Sequence, residues 1–192
     1  MPNRLTFPIG EADARALAVG DEVLVNGRII TACAAAHREL LAEDHPGVRA
    51  AAEGSLVYHC SPVVERAGRG WRFLAAGPTP SLRQEPYEAE VLARYGLRGV
   101  LGQGGMGPRT GAALRCLGAV YLHAVRGLAV VLARHVSRVV AVHALAELGA
   151  ADAIWEIEVE DFPAVVSMDA RGQSLHAAAA TDLRDVPADL FA

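Results

Sequence analysis

Apolar positions along this chain change period several times, and each change marks an element. Residues 5–8 read as a short strand, and residues 11–17 as one or two helical turns behind it. From Gly20 to Ala32 apolar and polar residues alternate on both sides of Asn26-Gly27. A two-residue type I′ turn prefers that dipeptide, so the pattern predicts a β-hairpin. Residues 34–43 have helical spacing and end at His45-Pro46-Gly47. Residues 55–64 and 71–76 are apolar, β-branched and aromatic, which suits central strands. A helix is expected from Pro86, the first-turn position proline tolerates, to Gly96. Beyond it the pattern predicts a strand over 98–102, a helix over 108–117, a strand over 118–125 and a helix over 127–136. Residues 153–160 and 164–170 read as two strands joined at Asp161-Phe162-Pro163. The tail over 177–192 is rich in Ala and Asp, has little periodicity, and is expected to dock loosely.

Hairpins early and late with α/β units between them predict a layered α/β single domain over residues 1–192, not a regular βαβ array. Composition agrees: 192 residues, 52% apolar and 21% charged, suit one well-buried globular domain. The three cysteines, Cys33, Cys60 and Cys116, are odd in number and far apart in sequence. They fit neither a disulfide framework nor a zinc site, and read as reduced thiols in a cytoplasmic protein. The first ten residues have no signal-peptide core, and His123 and Arg126 interrupt the apolar run over 116–133. Neither a leader nor a membrane span is expected. A net charge of −4 argues against nucleic acid as a partner.

Charge distribution is less even than that total suggests. Residues 91–146 contain no Asp or Glu but seven arginines, Arg94, Arg98, Arg109, Arg115, Arg126, Arg134 and Arg138, which predicts a local positive field. The chain has no lysine, so none can act as base, Schiff-base former or phosphate ligand. Just ahead of the basic segment, Gly-Pro-Thr-Pro-Ser-Leu-Arg at 77–83 would present the Thr79 and Ser81 hydroxyls beside the Arg83 guanidinium. Arginine is well shaped to hold a carboxylate by two parallel hydrogen bonds, so a pocket for a small anion is one reading. A polar turn ahead of a helix is the other. Gly102, Gly104 and Gly107 satisfy the dinucleotide glycine pattern, but the acid expected about twenty residues later is missing. A tight turn or an anion-binding loop remains.

Read in order, residues 17–32, Ala-Ala-Ala-His-Arg-Glu-Leu at 34–40, Val-Tyr-His-Cys-Ser-Pro-Val at 57–63, and the 77–83 stretch form the first half of a pattern. Gly-Val-Leu-Gly-Gln-Gly-Gly-Met at 99–106, residues 119–127, and the C-terminal block 147–172 complete it. Together they resemble the β subunit, or C-terminal domain, of the iron–sulfur-dependent hydro-lyases: class I fumarase and L(+)-tartrate dehydratase. The resemblance is strongest over 17–172. It implies a swivelling β/β/α domain that docks on an α-type subunit. It further implies that the partner carries a 4Fe-4S cluster, that this chain binds no cofactor itself, and that a small dicarboxylate lies between the chains. A homo-oligomer of such heterodimers is expected. The resemblance carries a proton-abstracting role to Thr79 and a carboxylate-clamping role to Arg83, with Ser81, Gln103, Gly104 and His37 as further substrate contacts. His37 would serve as a cation if protonated, or as a hydrogen-bonded helix residue.

Three departures stand out. The family segment close to Thr-Ala-Arg-Asp-Ala-Ala-His has Cys33 and Ala34 at its Arg and Asp positions. The family Gly-Lys-Gly-Gly has Gln103 in place of its lysine, and Pro80 stands where a second threonine is usual. The expected activity is hydration and dehydration of a hydroxy-dicarboxylic acid, with fumarate and malate as the default pair. Tartrate-type or altered-substrate chemistry, and a non-catalytic assembly module of the same fold, are the alternatives.

Overall fold

The computed structural model describes residues 2–125 and 127–182; Arg126 and, from the expected tail, residues 183–192 lie outside the described residues. A seven-stranded sheet comprises β1 (Asn3–Phe7), β2 (Glu22–Thr31), β3 (Leu56–Tyr58), β6 (Gly99–Gly102), β7 (Val120–His123), β8 (Val136–His143) and β9 (Ile154–Met168). Strands β2, β3, β6 and β7 run parallel, and β9 runs antiparallel to both β7 and β2. The sheet therefore curls into a ring, β2–β3–β6–β7–β9 and back to β2, with β1 and β8 as side strands. A separate hairpin pairs β4 (Val63–Ala67) with β5 (Gly70–Ala75). The helices are α1 (Glu11–Ala16), α2 (Ala34–Ala42), α3 (Pro46–Ala52), α4 (Glu85–Tyr95), α5 (Pro108–Leu117), α6 (Ala129–Ala133), α7 (Leu145–Leu148) and α8 (Leu175–Asp182).

The period-two alternation of the central strands sends side chains to two cores. Leu56, Tyr58, Leu101, Val120 and Leu122 join Trp155, Phe162 and Phe73 on one face. There the β4–β5 hairpin folds over, with Trp71 and Phe73 edge-on to Trp155 at 5.2 and 5.8 Å. Val57, Val100 and Tyr121 point the other way, beneath Leu40, Val48, Leu92, Tyr95 and Leu114 of α2 to α5.

Four expectations about elements are corrected. Asn26-Gly27 makes no hairpin, because β2 runs straight through it and both halves pair with β9, from Glu22 opposite Val165 to Ile30 opposite Glu156. The dipeptide builds a bulge instead: the Asn26 side chain donates to the Leu24 carbonyl and accepts from the Asp161 amide at 2.9 Å. Gly27 sits at φ +92°, and a Cβ there would lie 2.2 Å from the Phe7 carbonyl oxygen, so glycine lets β1 approach. The strands expected over 153–160 and 164–170 are one strand, β9, with Asp161 at φ +48° opposite the same bulge. Residues 71–76 belong to the outer hairpin and not to the central sheet, and residues 55–64 divide between β3 and the same hairpin. The helix expected over 127–136 is five residues long; Val136 opens β8, whose partner is β9.

Candidate active-site cleft

Several loops meet at the carboxyl ends of the parallel strands, the edge where open α/β sheets place ligands. Strand β2 ends at Thr31 and leads into α2; β3 leads to His59, and β6 to Gln103. The chain enters β9 at the same edge, where the Trp155 amide donates to the Thr31 hydroxyl. Residues 77–83 lie across this edge. Pro78 bridges to Cys60 and Pro80 to Gln103, while the amides of Thr79 and Ser81 donate to the carbonyls of His59 (2.8 Å) and Gln103 (3.0 Å).

The loop alternates between two environments. Thr79, Arg83 and Gln84 line an open cleft of about 270 Å³ with Cys33, Ala34, Ala35 and Arg38 of α2, plus Ser61 and Asp152. Thr79 Oγ1 donates to the His59 carbonyl at 3.1 Å, which leaves its lone pairs free. The guanidinium groups of Arg83 and Arg38 are exposed and form no ion pair among the described residues. Cys33 Sγ donates to Asp152 Oδ1 at 3.1 Å, and the Ser61 hydroxyl approaches the same oxygen at 3.4 Å. Burial pushes the Cys33 thiol above its ordinary value, which keeps it a neutral donor.

Ser81 faces inward and is fully buried, as are His37, His59 and Glu88. Their contacts form a chain. Tyr121 donates to Ser81 Oγ at 2.8 Å, Gln103 N–H approaches the same oxygen at 3.2 Å, and Ser81 bonds His59 Nδ1 at 2.9 Å. His59 Nε2 and His37 Nε2 both meet Glu88 Oε2, at 2.7 and 3.0 Å, while His37 Nδ1 meets the Cys33 carbonyl at 2.8 Å. A carbonyl and a carboxylate only accept, so both nitrogens of His37 face acceptors. Burial alone would raise the Glu88 carboxyl, but the two imidazoles outweigh it and hold the group at about 2. Burial lowers His59, which fits a neutral ring accepting from Ser81. His37, His59 and Glu88 also form a convergent group of metal-type donors, with ligand atoms within 4.8 Å of one another. The Nε2 atoms of His37 and His59 already bond Glu88 Oε2, while Glu88 Oε1 is buried without a partner among the described residues.

The residues singled out by sequence thus divide. Thr79 and Arg83 reach the cleft. His37 and Ser81 have no exposed surface, so they meet no substrate directly in this conformation and stand behind the cleft instead. Gln103 is 9% exposed, with its backbone against Ser81, and does not line the cleft. Gly104 lies in an exposed turn at φ +83°. The positive field expected over 91–146 is partly neutralised: Arg109 and Arg138 pair with Glu90 and Glu158, while Arg94 and Arg98 keep their charge and donate to the carbonyls of Leu41 and Leu117. Arg38, Asp152, His59 and Glu88 were not among the sequence candidates. Glu88 did have a signal, since it occupies the i position of the stripe Glu88, Val91, Leu92, Tyr95 that faces the core.

Comparison with known proteins gives a consistent answer. The family model described as Fumarase C-terminus matches residues 4–179. A Geobacillus stearothermophilus protein provisionally named as a class I fumarate hydratase is 43% identical over 90% of this chain, which spans 33% of that protein. The L(+)-tartrate dehydratase subunit beta of Escherichia coli K12 is 33% identical over 91% of this chain and 87% of its own length. A Methanocaldococcus jannaschii protein provisionally given the same subunit name is 34% identical over 91% of this chain and 89% of its own.

Proposed function

The chain belongs to the fumarase C-terminus family, and from that membership we propose that it is the β-type subunit of a heteromeric hydro-lyase acting on a hydroxy-dicarboxylic acid. The observation that carries this reading is the 77–83 loop, which sets Thr79 and Arg83, free of any ion pair among the described residues, on one cleft at the carboxyl ends of the sheet. Arg83 binds the substrate carboxylate presented to this chain. Thr79, whose hydroxyl donates a hydrogen bond to the His59 carbonyl, turns its lone pairs toward the substrate carbon from which a proton leaves. A hydroxyl is a weak base, so this role requires the rest of the assembled site.

The subunit name of the tartrate dehydratase relatives supports an α-type partner for this chain. Leu82, 62% exposed between Ser81 and Arg83, gives the cleft rim an apolar side chain for that partner to cover. In this reading the 4Fe-4S cluster belongs to the partner, where it supplies a Lewis acid for the departing hydroxyl. The thiols of this chain are differently engaged: Cys33 bonds Asp152, Cys60 is buried, and Cys116 is exposed on α5. The domain would swivel against the α-type subunit in a cytoplasmic assembly, and no helix among the described residues is long and apolar enough to cross a membrane.

A second reading, a non-catalytic assembly module, is favoured by one observation: neutral Cys33 and Gln103 stand where the family pattern has cations. Anaerobic co-expression with an α-type subunit and assay against fumarate, malate and tartrate separates the two. Turnover of any of these by the complex, with none by this chain alone, supports the enzyme. A stable complex with a loaded cluster and no turnover supports the module.

A further inference from the structure

Arg38 lies one residue beyond the buried His37, and Arg83 two beyond the buried Ser81. Both exposed side chains therefore sprout from backbone fixed by the same chain of hydrogen bonds, through Glu88 and His59. The backbone from which the two arginines extend is held in place before any ligand arrives. They line one cleft, and neither forms an ion pair among the described residues. The carboxylate in that cleft, Asp152, is turned to the Cys33 thiol and the Ser61 hydroxyl. Next to Arg38, α2 starts with Cys33 at its N-cap and no acid in its first turn, so nothing on that turn repels an anion. The cleft, about 270 Å³, is near the ~300 Å³ lower end of small-molecule sites, so its ligand is small.

We propose that Arg38 is a second carboxylate-binding cation of this site: together with Arg83 it clamps the single carboxylate that the substrate presents to this chain. Arg38 thereby stands in for the positive charge that Cys33 does not supply. The inference rests on the reading of the cleft as a hydro-lyase half-site, and it makes the substrate class a dicarboxylate whose distal carboxylate is ionised. Neutral Cys33 and Gln103 then signal a rearranged anion site and not one retuned for an uncharged ligand.

Two measurements test it. In the complex with the α-type subunit, Arg38→Gln should raise KM for the dicarboxylate at least tenfold with kcat changed less than threefold, and Arg38→Lys should recover part of the loss. Adding Cys33→Arg to Arg38→Gln should lower KM again, because both positions would serve the same anion; a purely structural role for Arg38 predicts no such rescue. In the full chain alone, titration with succinate followed by NMR of the arginine Nε–Hε groups should shift Arg38 and Arg83 together with one dissociation constant. Shifts at Arg83 without Arg38, or an unchanged KM in Arg38→Gln, overturn the clamp while leaving the hydro-lyase reading intact. An inactive complex whose Arg38 and Arg83 signals still move together overturns the hydro-lyase reading and leaves the clamp standing.

Discussion

The cleft and the ion pair behind it are built from the same short stretches of chain, yet they treat charge in opposite ways. In α2, His37 turns in and Arg38 turns out; in the 77–83 loop, Ser81 turns in while Thr79 and Arg83 turn out. On the inner side charge is dry and almost fully paired, with Glu88 Oε1 as the one carboxylate oxygen without a partner. On the outer side two guanidinium groups face water, and neither forms an ion pair among the described residues. Buried ion pairs add little net stability, but removing one partner is costly because a lone charge is left in the interior. Exposed arginines cost the fold little and are available to a ligand. In the proposed reading the inner side fixes geometry and the outer side does the binding, so substitutions on the two sides should separate stability from activity.

The largest expected effect on stability is at Glu88. Glu88→Ala strands two buried imidazoles and should cost about 3–5 kcal/mol in denaturant unfolding. A loss below about 1 kcal/mol would mean that the pair is not formed in solution. Gly102→Ala should come next. A Cβ there would lie 2.0 Å from Ser81 Oγ, 3.1 Å from the Tyr121 hydroxyl and 3.2 Å from His59 Nδ1. The loss should be roughly 1–3 kcal/mol, as for other overpacked sites, and the aromatic Tyr121 signals in NMR should shift with it.

How far the sequence reveals this division depends on what each residue answers to. Helices α4 and α5 are legible because their ends are local: prolines in the first turn and Gly96 and Gly118 in the left-handed conformation at the C-caps. Asn26-Gly27 misleads because its local preference for a turn yields to a partner more than a hundred residues away, β9. Strand β8 is hidden because only Arg134 and His135 separate the apolar run of α6 from Val136, where β8 opens. In the site, Thr79 and Arg83 are legible as chemistry. The inward turn of Ser81 is not, because it depends on the bridge between Pro80 and Gln103. Glu88 carries its own sign, an acid on a stripe of core residues, which tells of a buried partner without naming it.

A smaller effect sharpens the comparison through pH. Burial lowers His59 from 6.5 in the folded chain, and the imidazoles hold Glu88 at about 2 against a reference of 4.5. The unfolded chain binds these protons first, so the contribution of these two groups is complete above about pH 6.5. It should decline below that value through His59, and again from 4.5 toward 2 through Glu88. Unfolding followed by circular dichroism from pH 8 to 3 should show both declines, and Glu88→Gln should make the lower one shallower. A profile unchanged by Glu88→Gln would place the acid sensitivity elsewhere.

The central claim, that the outer side binds and the inner side holds, is tested most directly by Arg83→Ala in the complex with the α-type subunit. A charged contact to a carboxylate contributes about 1.5–3 kcal/mol, so kcat/KM should fall by roughly 10- to 150-fold. Stability in denaturant unfolding should change by no more than an ordinary surface substitution, about 0.5 kcal/mol. Unchanged kcat/KM, or a loss of activity matched by a loss of folded protein, would contradict the account.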